Sequence, residues 1–273
     1  MNRNNRTKLR LVLALIGLTW AGQVLGAPPF INLQGVGGAG FNPLAYTAGR
    51  PDEESFYSKP QFGAWYVHLG DVHVDWTTIG VAGTLFDRLE WSYGYEAIGT
   101  PGDKNIRKSN IGAKINLIPE NLGGQEYIPA VSVGAIWKNT SHLPEETDED
   151  AIDYYLVATK LITQLPRPVL LTAGVLNTKE QVTGVFGYND NSDTTAFAHV
   201  AVLPLARLAI GAEYKQGATY GDFKNADYWN VHAVWLANEH LSLIGTYVNA
   251  GNEKSESRAG LGEGVALSVQ YTF

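Results

Sequence analysis

The chain has 273 residues with 20 basic and 27 acidic side chains, a net charge of −7, and no cysteine. The acidic balance argues against nucleic acid as a partner, and the missing thiols remove disulfides, thiolate metal sites and cysteine nucleophiles. Thirty glycines, 11% aromatic residues and a single methionine suit a β protein better than a helical bundle.

Residues 1–26 read as a secretion signal. Arg3, Arg6, Lys8 and Arg10 form a basic start, Leu11 to Trp20 an apolar run, and Val24-Leu25-Gly26 the small-residue approach to a cleavage site before Ala27. The apolar run is well short of the ~20 residues that a membrane-spanning helix needs. Removing the signal leaves 16 basic against 27 acidic residues, a net charge of −11 for residues 27–273.

Residues 27–60 form a separate N-terminal segment. Its centre is rich in glycine, with Gly35, Gly37, Gly38 and Gly40 ahead of Asn42-Pro43-Leu44, and glycine allows close backbone approach. A polar stretch, Arg50 to Ser55, follows. The segment either enters a lumen as a plug or leads in from the periplasm as an extension.

From residue 61 onward, twelve stretches carry strand-like patterning: 62–69, 72–81, 88–97, 110–118, 128–137, 152–163, 168–176, 194–203, 206–215, 227–237, 240–249 and 264–273. Each approaches the ~9–11 residues of a tilted transmembrane strand, and the number is even. Short connections (82–87, 164–167, Pro204-Leu205, Asn238-Glu239) alternate with long ones (98–109, 138–151, 177–193, 216–226, 250–263), as a barrel with both ends in the periplasm requires. Gly70-Asp71 and 119–127 break this rule in length. The fold expected is all-β: an antiparallel transmembrane β-barrel of about twelve strands in the bacterial outer membrane.

Within the strands, apolar side chains alternate with small or polar ones. Leu89, Trp91, Tyr93 and Tyr95 oppose Glu90, Ser92, Gly94 and Glu96; Ile111, Ala113, Ile115 and Leu117 oppose Gly112, Lys114 and Asn116. Charge at the lipid midplane costs ~2–4 kcal/mol for Arg or Lys, so charged positions point into the lumen. The lumen-lining set is Asp75, Glu90, Glu96, Lys114, Arg207, Glu213, Lys215 and His232. Strands 168–176 and 194–203 are apolar on both faces, so that side of the lumen has an apolar lining that can pack against something, the N-terminal segment being the candidate. The last strand alternates strictly and ends on Tyr271 and Phe273, an aromatic terminus of the kind read by the barrel-assembly machinery.

The glycine-rich stretch through Asn42-Pro43-Leu44, with Lys59-Pro60-Gln61-Phe62-Gly63-Ala64-Trp65 and Leu85-Phe86-Asp87, resembles a family of proteobacterial signal-bearing proteins known only as a domain of unknown function. The resemblance covers most of the chain beyond the signal and brings no activity. A second similarity is to outer-membrane transporters of long-chain fatty acids and hydrocarbons, whose N-terminal hatch ends in Asn-Pro-Ala. Here the third residue is Leu44, a departure, and those barrels are larger.

Other chemistries find little support. His240-Leu241-Ser242 has the His-x-Ser spacing of outer-membrane phospholipases but lies at the wrong end of its strand, with no residue to orient the base, so no catalytic residue is assigned. His68, Asp71, His73 and Asp75 have the spacing of a metal site, yet a polar turn explains them as well, and no metal or cofactor is expected. The acidic run Glu145, Glu146, Asp148, Glu149 and Asp150 reads as a solvated loop, or as a site for divalent cations bridging lipopolysaccharide phosphates. The function expected is passive passage of a small solute. The alternatives are a non-conducting structural barrel and a transporter of hydrophobic compounds. Outer-membrane lipid, lipopolysaccharide and the assembly machinery are the partners this implies.

Overall fold

The computed structural model describes residues 30–49, 55–70, 73–100, 105–143, 148–251 and 258–273. The signal over 1–26, most of the polar stretch at 50–55, Asp71, Glu145 and Glu146 lie outside the described residues.

Twelve antiparallel strands close into a barrel. They are β1 (Gln61–Leu69), β2 (Val74–Leu85), β3 (Leu89–Gly99), β4 (Asn105–Ile118), β5 (Ala130–Ser141), β6 (Asp150–Ile162), β7 (Val169–Glu180), β8 (Tyr188–Leu205), β9 (Leu208–Lys215), β10 (Tyr228–Leu236), β11 (Leu241–Asn249) and β12 (Glu263–Thr272). The seam joins the last strand to the first, from Gly264 opposite Leu69 to Thr272 opposite Gln61. Closure leaves no unpaired strand edge, which a hydrocarbon surround demands because it offers no water to unpaired peptide groups.

Alternation places the side chains. On β12, Val265, Leu267, Val269 and Tyr271 face outward while Ala266, Ser268 and Gln270 are buried inside. The same division holds on β3, where Trp91, Tyr93 and Tyr95 are exposed and Glu90, Ser92 and Glu96 are buried. The outer surface is thus a band of large apolar and aromatic groups.

Several strands run further than the apolar pattern indicates. β4 begins at Asn105, β5 continues to Ser141, β7 to Glu180, and β8 begins at Tyr188. Beyond the apolar band the outward positions become polar, so the lipid signal ends while the hydrogen-bonded ladder continues: Glu96 pairs with Lys108, and Lys108 with Thr140. One rim carries both ends of the barrel and the short connections, such as Phe86 to Arg88, where Phe86 and Asp87 take positive φ. The opposite rim carries the longer connections, with two exceptions: 70–73 on that rim is short, and 119–129 on the first rim is long. Among the longer connections, 216–227 contains a small hairpin pairing Thr219–Tyr220 with Phe223–Lys224.

Residues 30–49 lie inside the barrel. The inner wall beneath them is made of glycine: Gly63, Gly80 and Gly94 sit directly opposite one another on β1, β2 and β3. A Cβ at Gly63 would lie 2.7 Å from Ile31 Cβ, and one at Gly94 would lie 2.9 Å from Gly35 Cα. Gly35 itself has φ of 85°, a conformation an L side chain rarely adopts. The row lets one backbone rest on another. Leu44 and Ala39 pack against Leu170 and Ala201, the apolar inner face of β7 and β8.

The seam is bridged from within. Ile31 N–H donates to Gln270 Oε1 at 2.8 Å, and Ile31 O accepts from Gln270 Nε2 at 3.0 Å and from Trp65 Nε1 at 2.8 Å. One residue of the N-terminal segment therefore holds both β12 and β1.

Two substitutions test this arrangement. Leu267→Arg, mid-strand on the lipid face, is expected to destabilise the folded barrel by about 2–4 kcal/mol in a bilayer, read from the urea midpoint in lipid vesicles. Gly94→Val drives a side chain into Gly35, at about 1–3 kcal/mol for overpacking. It should leave the barrel heat-modifiable on a gel while making residues 30–49 open to protease.

Candidate functional site

Two lumenal carboxylates hold the inner segment by its main chain. Glu90 on β3 accepts Gly37 N–H at 3.0 Å on Oε1 and Ala48 N–H at 2.7 Å on Oε2. Lys114 on β4 completes the cluster, 2.8 Å from Glu90 Oε2 and donating to Gly37 O at 2.9 Å. Across the lumen, Glu213 on β9 accepts three consecutive amides: Gly40 at 2.9 Å, Phe41 at 3.2 Å and Asn42 at 3.1 Å. Asn230 Nδ2 adds a fourth bond at 2.6 Å. Successive N–H groups turned to one concave side make an anion nest, here filled by a side chain of the wall. Asn42 fixes the chain beyond it by donating to Ala198 O and Tyr214 O. At the rim of short turns, Ala45 is bonded by Thr159 and Ser132, and Tyr46 donates to Glu120 at 2.8 Å.

A second cluster crosses the lumen nearer the long connections. Glu180, the last residue of β7, lies 2.8 Å from Lys138 Nζ and 3.0 Å from Lys108 Nζ through Oε1, and 3.5 Å from Lys215 Nζ through Oε2. Lys138 also pairs with Asp153 at 2.5 Å, and Lys108 with Glu96 at 3.5 Å. Asn110 donates to Glu96. These residues come from β3, β4, β5, β6, β7 and β9, so the cluster spans half of the barrel wall. Gln34, at the tip of the inner segment, donates to Glu180 Oε1 at 3.3 Å. The cluster and the segment therefore touch.

Beside both lies an apolar zone. Trp65, Val67, Leu69, Val74 and Trp76 turn inward and pack with Ile98, Val182, Val185, Tyr228 and Leu261, with Leu33 and Phe41 against them. A cavity of about 60 Å³ remains there. A smaller one of about 30 Å³ lies beside His199 and His232, whose rings stack at 5.3 Å.

Of the lumen-lining set, Glu90, Glu96, Lys114, Glu213, Lys215 and His232 are buried inside the barrel. Two positions need correction. Asp75 faces outward and is more than half exposed, paired with His68 Nδ1 at 2.9 Å and bonded by Tyr66. Its neighbours Val74 and Trp76 take the inner face because this part of the lumen is apolar, so the rule of charge inside and aromatic outside inverts locally. Arg207 has an inward parity but lies in the Ala206-Arg207 turn before β9 begins; it is exposed, and its guanidinium donates to Ala237 O at 3.4 Å. The glycines 35, 37, 38 and 40, with Asn42 and Pro43, all lie within the barrel, and Gly38 bridges to Pro43. Tyr271 and Phe273 face outward, their rings 4.9 Å apart. Among the described residues, no three His, Asp or Glu side chains converge as metal ligands.

Sequence reasoning missed Lys108, Lys138, Asp153, Glu180 and His199. Three of them, Lys108, Lys138 and Glu180, fell in stretches read as connections. The parity of Lys108, Asn110 and Lys114, each two or four residues apart, was the signal available.

The family model described as a protein of unknown function, DUF3034, matches residues 28–270. The chain belongs to that family. No curated protein matches it. Among solved structures it is similar to the KdgM porin, at 11% identity with a TM-score of 0.52 over 78% of this chain and 99% of that one. A KdgM porin in complex with disordered oligogalacturonate gives 12% and 0.53 over 78% and 99%. The NanC porin gives 9% and 0.52 over 78% and 98%. At these identities the likeness is one of fold, and the fold is that of outer-membrane porins.

Glu90→Gln is expected to cost about 3–5 kcal/mol, because it strips the buried Lys114 of its counter-charge. The paired change Glu90→Gln with Lys114→Gln should recover part of that loss. Urea unfolding of the detergent-solubilised barrel reads both.

Proposed function

We propose that this member of the DUF3034 family is an outer-membrane passage for a small solute, closed at rest by residues 30–49 acting as a plug. The observation that carries the reading is how the segment is held. Glu90 and Glu213 bind its main-chain amides, and each such bond to a charged group contributes only about 1.5–3 kcal/mol. These bonds, like those from Lys114, Gln270, Trp65 and Thr159, run from wall side chains to the segment. None is part of the strand ladder that closes the barrel, so the plug can leave without dismantling the wall. The porin fold, the apolar outer band and the charged lumen support the same reading. In it, residues 1–26 serve as the export signal, and Tyr271 and Phe273 mark the last strand for the assembly machinery.

A second reading has its own support. The lumen is packed so closely that the cavities beside the inner segment amount to about 60 and 30 Å³, as suits a structural barrel that conducts nothing. Planar-bilayer recordings separate the two. The full chain is expected to be closed or to open only briefly, and the form lacking residues 28–55 to conduct steadily. Glu213→Gln, which weakens the nest, should raise the open time of the full chain. Silence in all three forms favours the structural barrel.

A further inference from the structure

We propose that Lys108, Lys138 and Lys215 form a lumenal binding site for a carboxylate solute, and that Glu180 occupies it as a stand-in from the chain itself. The proposal rests on reading the lumen as a passage. Its test does not require conduction.

Three ammonium groups from three strands converge on one carboxylate, at 2.8, 3.0 and 3.5 Å. Lysines that serve only to neutralise a polar wall pair with the nearest strand's acid, as Lys114 does with Glu90 on adjacent β3 and β4. Lys138 makes such a pair with Asp153 on β6, but it and Lys215 also reach Glu180 from strands not adjacent to β7. With Glu180 in place the cluster is balanced: Lys108, Lys138 and Lys215 against Glu96, Asp153 and Glu180. With Glu180 withdrawn, one positive charge is left without a partner in a buried place, and the site then demands an anion. The second oxygen, Oε2, accepts no hydrogen bond among the described residues and faces Lys215 at only 3.5 Å. A free carboxylate placed by three lysines could approach all of them more closely than one tethered to β7.

The tether is itself suited to move. Directly after Glu180, Val182 and Thr183 have φ of 48° and 56°, a left-handed conformation that β-branched residues adopt only under strain. The strained turn is held by Asn225, which accepts Val182 N–H at 2.8 Å and donates to Glu180 O at 3.0 Å, and by Lys108 donating to Thr183 O at 2.8 Å. Gln34 of the inner segment adds its bond to Glu180. Departure of that segment removes one of the contacts that keep the stand-in seated, so plug and site are coupled.

Equilibrium dialysis of radiolabelled glutarate against the purified full chain in neutral detergent tests this. Glu180→Ala removes both the competing charge and the side chain that fills the site, and is expected to bind glutarate at least tenfold tighter than the wild type. Adding Lys138→Gln to that variant should abolish the gain. Glu180→Asp preserves the net charge, so that it folds where the alanine variant does not, and withdraws the carboxylate by one methylene; its affinity should exceed that of the wild type. No gain in any folded Glu180 variant overturns the proposal. So does a gain that survives Lys138→Gln, or one that chloride competes away at equal concentration.

Discussion

Everything in this structure follows from the seam between β12 and β1. A strand edge in hydrocarbon has no water to satisfy its amides, so the sheet is stable in a membrane only when its last strand meets its first. Closure then fixes which side chains are inside, and alternation does the rest. Val265, Leu267 and Val269 go to the lipid, Ser268 and Gln270 to the interior. The interior so created is too narrow to stay empty and too polar to be filled by aliphatic chains alone.

Two kinds of filling answer that constraint. Where β1, β2 and β3 present Gly63, Gly80 and Gly94, backbone lies on backbone, and the inner segment is fastened through its amides by Glu90 and Glu213. Where the wall carries long side chains instead, lysines and carboxylates meet across the lumen around Glu180. Buried ionisable groups are costly unless each meets an opposite charge, and these do. The first filling is separable from the wall, being a segment of chain, while the second is part of the wall.

The barrel was legible in the sequence because a lipid-facing surface leaves a two-residue period, and the nine residues of it from Val265 to Phe273 are hard to mistake. The interior was less legible, for a physical reason. The period shows which parity is apolar, and inside means polar only where the lumen is wet. At Val74, Asp75 and Trp76 the lumen is apolar, so the charged residue goes out and the aromatic residue goes in. Arg207 fails differently, having the right parity one residue before its strand begins. Lys108, Lys138 and Glu180 lie on strand ends that rise past the lipid, where outward positions are polar and the period fades although the ladder goes on. The glycine row was visible as single glycines within strands, but its register across three strands exists only once they are paired.

The bridge at Ile31 joins residues 239 positions apart in the chain, Ile31 and Gln270. A contact so distant in sequence costs the most loop-closure entropy and forms late in folding. The part of the chain that is synthesised early thus waits for the part made last. Since Ile31 also takes a bond from Trp65, its three hydrogen bonds are complete only when the two end strands already lie side by side. Order of assembly is thereby set: the ladder between the two end strands closes the wall by itself, the segment then adds a clamp at that joint, and a segment that arrives early finds only half of its partners.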